Sequence, residues 1–468
     1  VPKSKTKPLT AMVARYIRNA RYNDVPRRIM DPLLQSIADT VGCGLRGSQS
    51  DYAQLLGGYA GEWGSKGEAV VWGTDQRAAT PIAAMVNCAA CHAWDYDDTI
   101  MPAVLHPGSV ALPTALAIAE RSRTPVSGRT LVTALAAGYE VGNIMGTALG
   151  AKRFASDGFY NSVPTIFVAA ATACKLLNLN ELQTMRALGL AAQQAAGLYS
   201  ATLAKRFNAP KAVLGGIMAA DMALRGMEAP VDGIEAPYSG FLGTFARSPE
   251  PEVIPRDLGK YRFEIFHKFY PCIRSNHPTV DNLRLLLEEN PDIKTGAIRR
   301  IVSHVDPLTV DYTVGTTAGG ADGVHTVGNA LISLHYCVAA MAVDRELTFR
   351  QFTPAKLRNP AIKAVMPKIE LVGDKSIDKL PATKRYRCKI EVHLADGRVV
   401  KRALEGPKGD PNNRLTRDEM IVKFVDNAGE VMPAARARTL FGLLEGLDKA
   451  KDVRPIVRKL AVAAKRGR

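Results

Sequence analysis

Residues 110 to 226 form an almost unbroken run of alanine, leucine and other small apolar residues, and that run leaves the chain few folds to choose from. Helices are expected at about 111–122, 128–148, 163–177, 180–196 and 210–226. Breaker groups separate them: Thr124-Pro125, Ser156-Asp157-Gly158, Asn178-Leu179-Asn180 and Asn208-Ala209-Pro210. Small residues at Ala134, Ala136, Ala137 and Gly138, at Ala169 to Ala171, and at Ala191, Ala192, Ala195 and Ala196 let helix axes approach closely. The pattern is that of a buried bundle core within one large α-domain.

The flanks extend this domain. Residues 10 to 47 read as largely helical, with apolar positions at Met12, Ile17, Ile29, Leu33, Leu34, Ile37 and Val41. Residues 48 to 80 read as Gly-rich loop, apart from a short helical piece near Tyr52 to Leu56. Thr80 is the expected N-cap, and Pro81 the first residue, of a helix leading to Cys91. The character changes near residue 262. Phe263 to Pro271 is aromatic and strand-like, a helix is expected at Thr279 to Leu287, and Ile298 to Val305 alternates as a strand. Asn329 to Val343 reads as one long apolar helix, and two shorter pieces follow between Pro354 and Val365, divided at Pro360. Strands are expected at Ile369 to Val372, Arg387 to Leu394 and Arg398 to Leu404, with Ala395-Asp396-Gly397 as the last hairpin turn. Gly406 to Pro411 reads as a linker, and Thr416 to Glu419 as a capping box that restarts helices. Those final helices are too few for a core of their own, so they are expected to return to the first domain. The expected fold is mainly α: a large all-helical domain (1–266 and 407–468) with an inserted, smaller α+β lid domain (267–406).

Chemistry concentrates in Cys91-His92-Ala93-Trp94-Asp95-Tyr96-Asp97-Asp98-Thr99, followed by His106-Pro107. Two histidines, three carboxylates and a hydroxyl fall within one short span at the end of a rigid helix. The plain alternative is an ordinary helix-capping cluster with structural histidines. Cys88-Ala89-Ala90-Cys91-His92 also spells the c-type haem attachment pattern. The Ala-rich helical setting and the lack of a visible export leader argue for two buried apolar cysteines instead. No second Cys/His pair with ligand spacing follows, so no metal is expected.

Composition narrows the classes further. With 47% hydrophobic and 23% charged residues the chain is an ordinary globular sequence, and no run of eighteen apolar residues suggests a membrane span. The net charge of +16 invites a nucleic-acid or membrane reading. Part of it lies in the tails, the rest is scattered among acids, and no basic motif interleaved with aromatics stands out, so neither partner is expected. Seven cysteines without framework spacing suit a reducing compartment, and a cytoplasmic location is expected. The first 23 residues carry six Lys/Arg and no acid, which keeps the mitochondrial matrix open.

Taken in order, these pieces resemble the MmgE/PrpD family, whose members include 2-methylcitrate dehydratase, cis-aconitate decarboxylase and iminodisuccinate epimerase. Residues 92–99 match its H-A-x-D-[FY]-D-D-T signature, and His106-Pro107 its following H-P. Lys205-Arg206-Phe207 matches K-[RP]-[LF]. Tyr270-Pro271-Cys272-Ile273-Arg274-Ser275-Asn276-His277-Pro278 matches Y-P-C-x-R-x-x-H-P, and Ser333-Leu334-His335-Tyr336 matches S-L-x-Y. The resemblance implies a helical domain closed by its C-terminal helices, an α+β lid and an active site between them. It also implies a homodimer, no organic cofactor, no essential metal, and a small di- or tricarboxylate as substrate.

By that resemblance the site residues are Asp95, Thr99, His106, Lys205, His277 and Tyr336. Elimination of water from a hydroxy-acid needs a base for the carbon-bound proton and an acid for the leaving hydroxyl, and His106 and His277 suit both tasks. Asp95 can orient a histidine or act as base, and Tyr336 can donate a proton. Lys205 and Arg274 can grip carboxylates, with Thr99 and His92 as further polar contacts. Two positions depart from the decarboxylase-like pattern: Tyr160 stands where a histidine follows Gly-[FW], and Asn208 stands where one follows the Lys motif. Tyr160 is a candidate acid or base, and Asn208 a candidate substrate donor. The leading expectation is a cofactor-independent hydro-lyase on a small hydroxy-polycarboxylate, like 2-methylcitrate dehydratase. A decarboxylase of the cis-aconitate type or a dicarboxylate epimerase is the alternative, and a c-type haem carrier a remote one.

Overall fold

The structure, a computed structural model, describes residues 8–63, 67–150, 158–159, 162–198, 205–237, 239–315 and 323–462. It divides into two compact units, one of Val1–Ala93, Asp97–Ile265 and Thr416–Arg468, the other of Trp94–Tyr96 and Phe266–Leu415. The fold is mainly α, with a smaller α+β portion.

In the first unit the Ala-rich run forms Gly108–Arg121, Gly128–Ala148, Thr165–Leu176, Glu181–Gln194 and Lys205–Leu224. Small residues set the helix spacing. A Cβ at Gly138 would meet Thr172 Oγ1 at 2.2 Å, and one at Gly216 would meet the Ala169 Cβ at 2.6 Å. The last helix starts five residues before Pro210, where a break was expected; the proline forgoes the bond to the Arg206 carbonyl and crowds it, within the first two turns of the helix.

Upstream, the segment expected to be largely helical holds two helices, Leu9–Asn19 and Arg27–Gly47, parted at Ala20 to Pro26. The short helical piece expected near Tyr52 to Leu56 extends to a full helix, Asp51–Glu62, which the Ser50 side chain caps by accepting from the Ala53 N–H at 3.3 Å. Thr80 is the first residue of Thr80–His92 rather than its cap. Its hydroxyl and N–H both donate to the Glu68 carboxylate, at 2.8 and 3.1 Å. Arg27–Gly47 packs on Thr80–His92 so closely that a Cβ at Gly47 would stand 1.8 Å from the Ala90 carbonyl oxygen. It also packs on Arg417–Ala428, where Lys423 Nζ pairs with buried Asp39 at 2.7 Å. The Thr416–Glu419 capping box forms as expected.

Glu140 lies inside this bundle and accepts from the Gly259 and Tyr261 N–H groups at 2.6 and 3.2 Å. Burial pushes its carboxyl up from 4.5 to about 7, and the two backbone bonds offset only part of that. The folded state therefore holds this proton more tightly than the unfolded chain. The resulting stability is whole below pH 4.5 and is lost as pH rises through about 7. Glu140→Gln keeps the acceptor oxygen and removes the titration. Urea unfolding is expected to find the variant's stability flatter across that window, by up to ~3 kcal/mol.

The second unit is built on a four-stranded sheet in the order Ile369–Gly373, Ile298–Val305, Cys388–Leu394, Val399–Leu404, with the first pair parallel and the others antiparallel. Ile301, Ser303, Ile390 and Val392 face inward, and the His277–Glu289 helix covers them. Thr279 and Ser303 hydroxyls meet at 2.8 Å beneath it. The apolar helix expected at 329–343 is broken into Val327–Ile332 and Leu334–Asp344, because the Ser333 hydroxyl caps the second piece by accepting from the Tyr336 N–H at 3.1 Å. Of the aromatic segment only Glu264–Phe266 is strand. Among the described residues no helix is long and apolar enough to cross a membrane.

Candidate active site

In the first unit, the Thr80–His92 helix is buried almost throughout and delivers His92 at its C-terminal end. His106 stands two residues before the Gly108–Arg121 helix. The Asp97 carboxylate lies between the two rings. Its Oδ2 is 2.8 Å from His92 Nδ1, and its Oδ1 is 3.5 Å from His106 Nδ1. His106 Nδ1 is also 3.1 Å from the Asp98 carbonyl oxygen, and the ring centroids are 4.7 Å apart at 65°. Burial alone would raise the Asp97 carboxyl, but the two imidazoles overcome it and hold it well below the usual carboxylate range. Asp97 is thus an anion fixed against two imidazoles, able to orient them and to balance positive charge as it develops.

Its neighbour Asp98 behaves oppositely. Burial raises that carboxyl to about 7, although Tyr139 and Ser36 hydroxyls donate to Oδ2 at 2.5 and 2.8 Å. With the Gly108 N–H on Oδ1 at 2.9 Å, Asp98 ties the loop to three helices. Thr99 is buried, and its hydroxyl has no hydrogen-bond partner among the described residues. Asn208 is half-buried, and its amide nitrogen likewise has none. Lys205 opens the Lys205–Leu224 helix; its side chain, and all of Tyr160, lie outside the described residues.

Trp94–Tyr96 belong to the second unit. Trp94 and Tyr96 set their rings edge-on against Phe349, at 5.3 and 5.2 Å, and the Tyr96 hydroxyl donates to the Phe269 carbonyl at 3.1 Å. Asp95 between them has a left-handed backbone, φ 52°, which aspartate tolerates better than most residues. Fully buried Lys268 donates to the Asp95 carbonyl at 2.7 Å and to its carboxylate. His277 is buried at the start of its helix, with Tyr270 edge-on at 5.3 Å. Arg274 is also buried, packed on the Phe266 and Tyr386 rings at 4.6 and 4.5 Å and paired with Asp410 at 2.9 Å. The Tyr336 hydroxyl donates to the Gln351 carbonyl, and burial raises its pKa above the usual phenol value.

Of the residues singled out from sequence, the first unit thus joins His92 to His106, and it does so through Asp97. The second unit holds Asp95, His277, Arg274 and Tyr336 at separate anchor points, Asp95 on Lys268, Arg274 on Asp410 and Tyr336 on Gln351. Asp97 and Lys268 were missed. Asp97 was visible inside the motif as its second acid, five residues after His92; Lys268 was visible as a lone cation in an aromatic run. The Cys88 and Cys91 thiols are buried, and Cys91 is packed by Gly44 and directed at the Thr40 carbonyl, 3.5 Å away. That packing is opposite to what haem attachment requires.

Residues 11–254 match the MmgE/PrpD N-terminal domain and residues 270–447 the MmgE/PrpD C-terminal domain. The chain belongs to the MmgE/PrpD family. It is 27% identical to a cis-aconitate decarboxylase-like protein of Aspergillus oryzae over 473 residues, 95% of each chain. It is 27% identical to the cis-aconitate decarboxylase of Homo sapiens over 463 residues, 95% of this chain and 93% of that one. The cis-aconitate decarboxylase of Aspergillus terreus is 25% identical over 472 residues, 97% of this chain and 96% of that one.

Proposed function

We propose that this enzyme is a cofactor-independent lyase that removes carbon dioxide from a small tricarboxylate of the cis-aconitate type. End-to-end similarity to cis-aconitate decarboxylases favours decarboxylation over the dehydration that headed the sequence-based expectation. The observation that carries the chemistry is the buried Asp97 anion held between the Nδ1 atoms of His92 and His106. When the bond to a carboxyl carbon breaks, its electron pair stays on the substrate and delocalises into the conjugated acid. A proton must then reach carbon. His106, anchored through Nδ1, presents Nε2 for that delivery, and Asp97 balances the ring's charge while it carries the extra proton. Thr99 and Asn208 are proposed as substrate donors, Lys205 as a carboxylate-binding cation, and Asp95, His277, Arg274, Tyr336 and Tyr160 keep their proposed roles. A homodimer is proposed as the working state, to be checked by light scattering.

Tyr160 and Asn208, in place of two histidines of the decarboxylase-like pattern, support a second reading, a hydro-lyase or an epimerase on a related acid. Proton NMR in deuterated water separates them, with cis-aconitate, 2-methylcitrate, citrate and chiral C4 dicarboxylates as substrates. Loss of carbon dioxide with one deuteron delivered to carbon is expected. Dehydration or hydration without carbon dioxide loss, or α-deuteration alone, would replace the decarboxylase reading by the second.

A further inference from the structure

We propose that His92, Asp97 and His106 form a binding site for a late first-row divalent metal ion, zinc fitting best, and that the bound ion inhibits the enzyme. The inhibitory half rests on the role proposed for His106; the binding half does not.

One ligand atom from each of the three residues lies within 4.8 Å of the other two. Two contacts are shorter, 2.8 Å from Asp97 to His92 Nδ1 and 3.5 Å from Asp97 to His106 Nδ1. Tetrahedral zinc with ~2.0 Å bonds needs ligand spacings of about 3.3 Å, so the widest edge must close by up to about 1.5 Å and the His92–Asp97 edge must open by about 0.5 Å, adjustments made by side-chain torsions on a fixed backbone. The frame is rigid, because one histidine closes a buried helix and the other stands just before a second. Asp97 Oδ1 is buried and has no hydrogen-bond partner among the described residues; its approach to His106 is too long for one. That leaves a carboxylate lone pair aimed at the space the ion would fill.

Entry is available on one side. The His106 side chain is 19% exposed, against 4% for His92 and 0% for Asp97. A fourth coordination position would stay open toward His106, for water or for a substrate carboxylate. Two imidazoles and one carboxylate suit zinc, cobalt or nickel and disfavour magnesium and calcium, which prefer all-oxygen shells. Binding needs no redox partner. In each neutral ring the proton that Nδ1 donates to Asp97, or to the Asp98 carbonyl, moves to Nε2 through solvent, and the Nδ1 lone pair so freed bonds the ion in place of that hydrogen bond. Rings held this way no longer exchange protons with a substrate.

The sheet face of the second unit supplies an internal control. His304 and His393 approach Glu391 at 4.0 and 3.5 Å, but Lys401 Nζ already holds that carboxylate at 3.0 Å. The test is calorimetric titration of the metal-free full-length protein with zinc, and visible absorption with cobalt(II) as probe. One ion per chain, with the absorption of a low-coordinate cobalt site, is the expected result. Asp97→Asn and His106→Gln should each weaken binding about 100-fold or more, and the His304→Ala/His393→Ala pair should leave it unchanged. Zinc should raise Tm in wild type and not in His106→Gln, which tests the site even if Asp97→Asn folds poorly. Binding no tighter than millimolar, binding that survives His106→Gln, or binding lost with the sheet-face pair would overturn the site. These readouts need no turnover, so a protein inactive on every acid tried would sink the proposed function and leave the metal result standing. On an active enzyme, zinc inhibition with a constant unlike its binding constant would overturn the inhibitory half.

Discussion

Lys268→Met is expected to lower the stability of the second unit by about 3–5 kcal/mol, the usual loss when one partner of a buried ion pair is removed. Lys268 and Asp95 are both almost wholly shielded from water, so the carboxylate would remain buried without that ammonium. The loss comes from the stranded charge rather than from the lysine stem, which methionine replaces in large part. Adding Asp95→Asn should therefore restore most of it, since a neutral amide carries no charge and asparagine tolerates the left-handed backbone at φ 52°. Urea unfolding of wild type, single and double variants measures this directly. A double variant no more stable than Lys268→Met would show that packing, not charge, is what Lys268 provides.

The largest effect on turnover is expected at Asp97. Asp97→Asn keeps the size of the side chain but removes the anion between His92 and His106, and it offers an N–H where the rings now meet an acceptor. The kcat is expected to fall by about 10²–10⁴-fold, the range for losing a positioned proton-transfer group, with KM changed far less. His106→Gln should fall in the same range. The two losses should not add, because one ring carries out the step and the other side chain only positions it. A combined variant as slow as the product of the two single losses would place Asp97 and His106 in separate steps.

The fold was largely legible because the Ala-rich run allows little else. Helix ends were less so, and the misses share a cause. Ser333 breaks an apolar helix with its hydroxyl, Ser50 caps a glycine-rich one, and Thr80 turns its hydroxyl to Glu68 instead of its own helix. Each outcome turns on which nearby polar group a short hydroxyl reaches, and hydrophobic periodicity carries no trace of that. In the site, the motif held His92 and three acids, but its spacing did not say which acid joins His92 to His106. Lys268 could not be paired from sequence, because its partner is 173 residues away. Arg274 was visible in its motif, but the Asp410 carboxylate and the two aromatic rings that hold it in the fold are partners that motif spacing does not encode.

The meeting of Gly47 with Ala90 has a consequence for how mutations will be read in this protein. Any side chain at Gly47 would press on the carbonyl of Ala90, two residues before His92. In a saturation mutagenesis map, position 47 should therefore look like part of the catalytic machinery while touching no reactant. A ranking of variants by distance from the chemistry would misfile it, whereas a ranking by helix-to-helix clearance would not.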